Sequence, residues 1–251
     1  MKTSILNNKK IKEGFYTLIA VIGLIIIWKI ISLIVDKEIL IPSPESTYQE
    51  MIRIITAPNF LLSVWNTLRR AIIGFVIAMT LGITLGMVGG FSNIVYYLFR
   101  PFVLMNKAVP TMAIILLALI WLESEKAPIL VGFVVIFPIL YENTVQGIRN
   151  VDKKLLEMMK IYKISRFNQL RDLYLPSIKS YIKGAMSVAI ALNLKIIVAA
   201  EVLSQPRLSI GTSFQIERVN LNTAGVFAWA FITVILAGGL EQSLKLIRKD
   251  I

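Results

Sequence analysis

Lys195 and Glu201, two charged side chains six residues apart in an otherwise apolar run, are the residues of this 251-residue chain whose type and placement most invite chemistry. An unpaired charge at the centre of a bilayer costs roughly 2.5–3.5 kcal/mol on insertion scales, so both are expected to face protein or water. Six helical residues turn through about 600°, which puts the two on different faces and argues against a simple pair between them. The functional reading places Lys195, Glu201 and Asn193 along a translocation path, with Lys195 attracting an anionic or polar solute. The alternative is a structural bond to carbonyls or to Asn193. Other chemistry has little to work with. The chain has no histidine and no cysteine, which removes imidazole acid–base catalysis, thiolate nucleophiles, disulfides and Cys/His metal sites. The stretch GITLGMVGG spaces Gly82, Gly86 and Gly90 four residues apart, a pattern that lets a second helix approach closely. A phosphate cradle would need a following Lys-Ser/Thr, and no such sequence occurs in the chain.

The elements that position these residues are membrane helices. The chain is 56% hydrophobic and 17% charged, with a mean hydropathy of +0.72; a soluble domain would be about 45–50% apolar and about 25% charged. Its apolar residues cluster into runs of the ~20 residues that a bilayer of roughly 30 Å demands. The fold expected is all-α and polytopic, with about six spans near 14–35, 68–90, 98–120, 127–146, 178–203 and 224–244. Pro101, Pro110 and Pro138 interrupt the third and fourth, which is tolerated where neighbouring helices or water satisfy the freed carbonyls. The first run, Gly14 to Val35, is too long for a cleaved leader and lacks a small-residue cleavage site, so it reads as a retained helix. With both ends in the cytoplasm, eighteen basic residues fall inside and seven outside, in keeping with the positive-inside bias. The net charge of +12 is thereby explained by topology and anionic lipid, without nucleic acid.

Outside the spans, Ser43 is expected to cap a helix that begins at Pro44, with Glu45 at its positive end. Met51, Ile52, Ile54 and Ile55 would then lie on the membrane surface. Ser204 to Thr223 reads as a long loop over the outer mouth. The organisation expected is a cytoplasmic basic N-terminus at 1–13 and a single transmembrane domain at 14–251, with a cytoplasmic loop at 150–177.

That loop holds LLEMMKIYKISRFNQLRDLYLP, residues 155–176. Leu155, Leu156, Met159 and Tyr162 fall at helical spacing with Lys153, Glu157 and Lys160 on other faces. Ser165 can cap a second short helix, with Phe167, Leu170, Leu173 and Tyr174 apolar and Arg166 and Arg171 basic. Pro176 then suits the opening of the fifth span. Periodicity alone leaves two readings of this helix–turn–helix, a protein-docking surface or an amphipathic segment lying on lipid.

The same stretch resembles the cytoplasmic signature loop of binding-protein-dependent ABC importer permeases: Glu-Ala-Ala, three residues, Gly, nine residues, Ile-x-Leu-Pro. Glu157 takes the Glu position, Met158 and Met159 replace the alanines, Lys163 stands at the Gly, and Leu173, Leu175 and Pro176 fall in register. Further stretches resemble the nitrate/sulfonate/taurine branch: LIPSP (40–44), NTLRRAIIGF (66–75), RPFVLMNKAVPTMA (100–113), FPILYENTVQGIRNVDKKL (137–155), and LKIIVAAEVL (194–203) followed by Gly211. IWLESEKAP (120–128) departs, since relatives carry a Gly-containing turn there. The resemblance implies a type I ABC importer permease-like fold and a coupling helix around Ile164 to Arg171 that inserts into an ATPase subunit. The coupling residues would be Glu157, Lys163, Ile164, Ser165, Arg166, Phe167, Leu170, Arg171, Leu175 and Pro176. It further implies a second permease copy, identical or similar, and an external solute-binding protein. ATP and Mg would be bound by the partner ATPase, with no cofactor and no catalysis on this chain. The substrate implied is a small anion or organic solute, with a vitamin precursor as the alternative. A stand-alone ion-coupled carrier would be expected to show repeat symmetry, and none is visible. An intramembrane enzyme would need an acidic pair within the spans, and there is none.

Overall fold

A computed structural model describes the backbone of residues 2–249 and the side chains of residues 14–243. The side chains of Lys2, Lys9, Lys10 and Lys12, and of Lys245, Arg248 and Lys249, which weighed in the charge count, lie outside the described residues. The described chain is helical throughout, with no strand. Five helices are long and apolar enough to cross a bilayer: Gly14–Val35 within α1 (Lys2–Val35), α3 (Phe60–Phe91), α6 (Ala127–Arg149), α9 (Leu175–Ser204) with the turns that lead into it, and Thr223–Ser243 within α11 (Thr223–Lys249).

The third expected span is not one helix. It divides into α4 (Asn93–Ala108) and α5 (Thr111–Trp121), which meet at 105°. Val109 precedes a proline, is driven from helical geometry, and sits at φ −72°, ψ 128°. Pro110 has no N–H to continue the ladder and instead starts α5. The 11 residues of α5 reach only about 16 Å, so α5 alone does not cross.

The chain folds as two compact units. The first takes the residues up to Phe60 together with Phe214–Ile232. Here Trp28 stacks on Phe227 and Phe231 and donates from its indole to the Pro42 carbonyl at 3.0 Å. The surface helix α2 (Pro44–Thr56) starts as expected, the Ser43 hydroxyl accepting from the Ser46 N–H. Ile52 and Ile55 are exposed as expected, but Ile54 is buried: Arg53 ties the helix to Glu217 at 2.6 Å, and Glu50 on the same helix steadies the guanidinium at 2.6 Å. Lys29 pairs with Glu45 at 2.7 Å.

The second unit takes Leu61–Ser213 and the chain from Thr233 onward. Its core is the long packing of α6 on α9, flanked by α4 and α5. α3 lies against α6 along its glycine stripe, with Gly82, Gly86 and Gly89 buried. A β-carbon on Gly86 would stand 2.7 Å from Thr144 Cβ, and one on Gly82 would stand 2.9 Å from Leu140 Cβ. Only hydrogen fits there. The segment Ser204 to Thr223 is not a loop: it carries α10 (Ile210–Val219).

Candidate functional site

Three constellations in the second unit bear charge or exposed apolar surface.

The first is buried. Arg70 on α3 is 1% exposed and Glu201 on α9 is 0% exposed. Arg70 Nη1 donates to Glu201 Oε1 at 2.9 Å, while Nη2 donates to Glu125 in the turn before α6. The Thr67 hydroxyl donates to Glu201 Oε2 at 2.8 Å and accepts from the Ile210 N–H at 3.0 Å. The Gly211 N–H donates to the same carboxylate, and the Arg207 N–H donates to Glu125 at 2.8 Å. One guanidinium thus joins α3, α9 and the α5–α6 turn, and its carboxylates also tether the entry to α10. Removing one partner of such a pair strands a buried charge and costs about 3–5 kcal/mol.

Glu201 was expected along a translocation path. The structure turns it inward, because Arg70 is there to neutralise it. Asn193 is likewise interior: its Nδ2 donates to the Ala71 carbonyl at 2.8 Å, holding α9 to α3. Lys195 is exposed and borders a cleft of about 370 Å³ with Ser187, Leu192 and Glu241. It is the one of the three that opens on the chain's surface.

Sequence reasoning missed Arg70: the expected span at 68–90 holds it, but the charge count set it among the seven basic residues outside. Helix α3 starts eight residues before that span and turns Arg70 to its buried face. A signal was present. The stripe Gly82–Ala78–Gly74, continued toward the N-terminus at helical spacing, reaches Arg70 and Thr67, and all five are buried.

The remaining constellation is the insert. Helix α7 (Lys153–Ile161) ends where Lys163 takes a left-handed φ of 51°. The Ile164 N–H donates to the Met159 carbonyl at 2.9 Å and the Lys163 N–H to Lys160 at 3.0 Å. This is a Schellman ending with lysine where glycine usually sits. The Ser165 hydroxyl then caps α8 (Arg166–Gln169), accepting from the Asn168 N–H. Pro176 stands in the first turn of α9 as expected, but the chain before it does not leave helical geometry. A wide π turn at Leu170–Tyr174 carries α8 straight into α9, giving room for the proline ring over the preceding carbonyl. At the insert's base the Ser177 hydroxyl donates to the Gly147 carbonyl at 2.6 Å, joining α9 to α6. The outer surface is apolar and uncovered: Ile161 is 78%, Tyr162 73% and Phe167 70% exposed. Glu157, Lys163, Ser165, Arg166, Arg171, Leu175 and Pro176 are also exposed, whereas Ile164 and Leu170 are half-buried beneath them.

A helical, multi-pass membrane protein with an amphipathic insert between two spans has the form of a transport subunit. The family described as binding-protein-dependent transport system inner membrane component matches residues 78–240, and the chain belongs to it. It is an ABC transporter permease, a multi-pass membrane transport component. Similar proteins include the nitrate import permease of Leptolyngbya laminosa, 29% identical over 94% of this chain and 87% of the relative. The taurine transport system permease of Escherichia coli K12 is 23% identical over 88% and 82%. The bicarbonate transport system permease of Synechococcus elongatus is 27% identical over 81% and 77%. These matches put the chain in the nitrate/sulfonate/taurine branch. Among solved structures, an amino acid ABC transporter crystallised with histidines shares the fold at a TM-score of 0.66 and 15% identity, over 77% of this chain and 94% of that one.

Proposed function

We propose that this chain forms the translocation path of an ATP-driven importer for a small anion or organic solute, and that the insert at 153–176 docks a separate ATPase. The observation that carries the reading is the exposed apolar surface of Ile161, Tyr162 and Phe167, ringed by Lys160, Lys163, Arg166 and Arg171. A patch of this kind marks a contact with protein or with membrane, and family membership favours protein. Family membership supports a companion ATPase, which would bind ATP and Mg, and an external solute-binding protein. The nitrate, taurine and bicarbonate names of the relatives support an anionic or zwitterionic cargo.

In this mechanism, ATP-driven closure of two ATPase subunits moves two inserts together. The α8 half of each insert runs without a helical break into α9, whose first turn is bonded to α6, so the push passes to the packed α6–α9 pair. Two permease copies, the same or similar, enclose the path, with Lys195 facing it. In this reading the bent α4–α5 pair crosses as one span, so that both ends and the insert share one side, which the positive-inside bias makes the cytoplasmic one, and the protein lies in the cytoplasmic membrane. The basic N-terminus at 1–13, the membrane domain at 14–251 and the loop at 150–177 then divide the labour.

The test is affinity purification from native membranes in mild detergent, with partners identified by mass spectrometry. The unaltered chain is expected to bring down an ATPase in equal numbers. Arg166→Glu combined with Arg171→Glu is expected to lose at least tenfold of it while the permease elutes unchanged. An intact complex after both reversals would refute docking at the insert. A chain that arrives alone, with gradient-driven uptake, would be a carrier.

A further inference from the structure

The insert leaves α6 after Arg149 and returns to the membrane helices through Tyr174. Both of these feet close on one place, the corner between α3 and α4. We infer that this corner, residues 89–96, is a second receiver of the insert's movement, with Arg149 and Tyr174 as its positioning residues, so that α4 moves with the insert as α9 does. The inference rests on the docking of an ATPase at the insert, and it adds a route that the α6–α9 packing does not supply.

The departing foot is a clamp. Arg149 donates from Nη2 to the Gly89 carbonyl at 3.2 Å and to Asn93 Oδ1 at 2.9 Å. Its guanidinium also lies 4.0 Å over the Tyr96 ring. One planar group thus holds the last turn of α3 and the first turn of α4 together, because guanidinium can donate at its edge while its face stacks on a ring. The approach is close as well. A β-carbon on Gly90 would stand 2.5 Å from Ile148 Cδ1, so the end of α6 cannot press toward the corner without displacing it.

The returning foot makes a ring contact. Tyr174 closes the π turn and meets the Phe91 ring edge-on, with centroids 4.8 Å apart and planes at 76°. A π turn takes up one residue more than an α turn, about 100° of helix, and so re-aims the side chains on one side of it relative to those on the other. Tyr174 also packs against the buried cluster that includes Ile148 and Ile178. Phe91, by contrast, is 54% exposed. Little folding stability rides on such a ring, yet its loss breaks the contact.

Two grips on one corner, one from each foot, leave it no pivot, and packed contacts of this kind carry displacement from element to element. Beyond the corner, α4 runs to Lys107, which pairs with Glu142 on α6, and then into the bend before α5. Movement of the corner therefore reaches that bend.

The experiment uses the complex of the full chain with the ATPase that co-purifies with it, held in lipid nanodiscs. The chain has no cysteine of its own. Leu98→Cys on α4 and Val188→Cys on α9, both at exposed positions, therefore report the two routes one at a time. Each is read as the rate of reaction with a fluorescent maleimide on this chain's gel band. Trapping the ATPase with ATP and vanadate is expected to change both rates severalfold. Phe91→Ala combined with Arg149→Gln should abolish the change at Leu98→Cys and keep the change at Val188→Cys. The amount of ATPase bound and the thermal midpoint should stay as they were. Phe91→Tyr, which keeps the ring, should respond as the unaltered chain does. Should the double variant fail to fold, Phe91→Ala alone serves, and it should at least halve the change at Leu98→Cys. The inference is overturned if Leu98→Cys responds in the double variant as in the unaltered chain, or if Val188→Cys falls silent with it. A chain that brings down no ATPase would remove the docking reading and this inference together. An ATPase retained beside an unresponsive Leu98→Cys would remove this inference alone.

Discussion

At the scale of the residue, Arg70 shows why a charge inside a membrane protein repays tracing to its partners. Its two carboxylates differ in setting: Glu201 is sealed in, whereas Glu125 sits in the turn before α6, close to half exposed. Partial burial works to raise the Glu125 carboxyl. Hydrogen bonds from Arg70 and the Arg207 N–H, with the charges of Arg70 and Arg69, outweigh that and hold it below its ordinary 4.5. A carboxylate lowered on folding contributes stability that is complete above its ordinary value and lost as pH falls through the lowered one. The thermal midpoint of the unaltered chain should therefore exceed that of Glu125→Gln at neutral pH, and the gap should close only below pH 4.5. A gap independent of pH down to about 3 would show that the Arg70–Glu125 bond adds nothing.

At the scale of the element, the insert combines legible and illegible features. Its two amphipathic helices, the Ser165 cap and the departure at Lys163 can all be read along the chain, because caps and periodicity depend on near neighbours. Lys163 stands where the signature loop carries glycine, and the structure keeps that turn, with the lysine at φ 51°. A left-handed β-carbon costs roughly 1 kcal/mol that glycine avoids. Lys163→Gly is accordingly expected to raise the thermal midpoint by about 2–4 °C. A fall would mean that the lysine side chain makes a contact worth more than the strain. The π turn at Leu170–Tyr174 was not foreseen. Pro176 signalled a disturbance, but whether a helix stops or widens at a proline depends on what continues beyond it, here the α6 packing that holds α9 in line.

At the scale of the whole molecule, the number of crossings turns on the bent pair α4–α5. The absence of cysteine makes single introduced cysteines clean reporters of sidedness. Lys37→Cys and Glu123→Cys are both expected to react with a membrane-impermeant maleimide in intact cells, and Lys154→Cys only after permeabilisation. Protection of Glu123→Cys while Lys37→Cys reacts would make the pair re-entrant and put the two ends on opposite sides.

Hydropathy, the glycine spacing and the signature loop are properties of neighbouring residues, so the sequence by itself determined a helical membrane protein, a glycine face on α3 open to close helix approach, and its permease class. Three things needed the tertiary structure. The Arg70–Glu201 bond spans 131 positions and the Arg70–Glu125 bond 55, and no local pattern specifies which distant charge a buried side chain meets. The bend after Pro110 was visible as an interruption but not as an angle of 105°, which the packing of α5 against α6 and α9 sets. And Lys195, Glu201 and Asn193, alike in being polar residues of one apolar run, were separated only by where the rest of the chain lay: one opens on a cleft, and the other two are drawn inward by partners on α3.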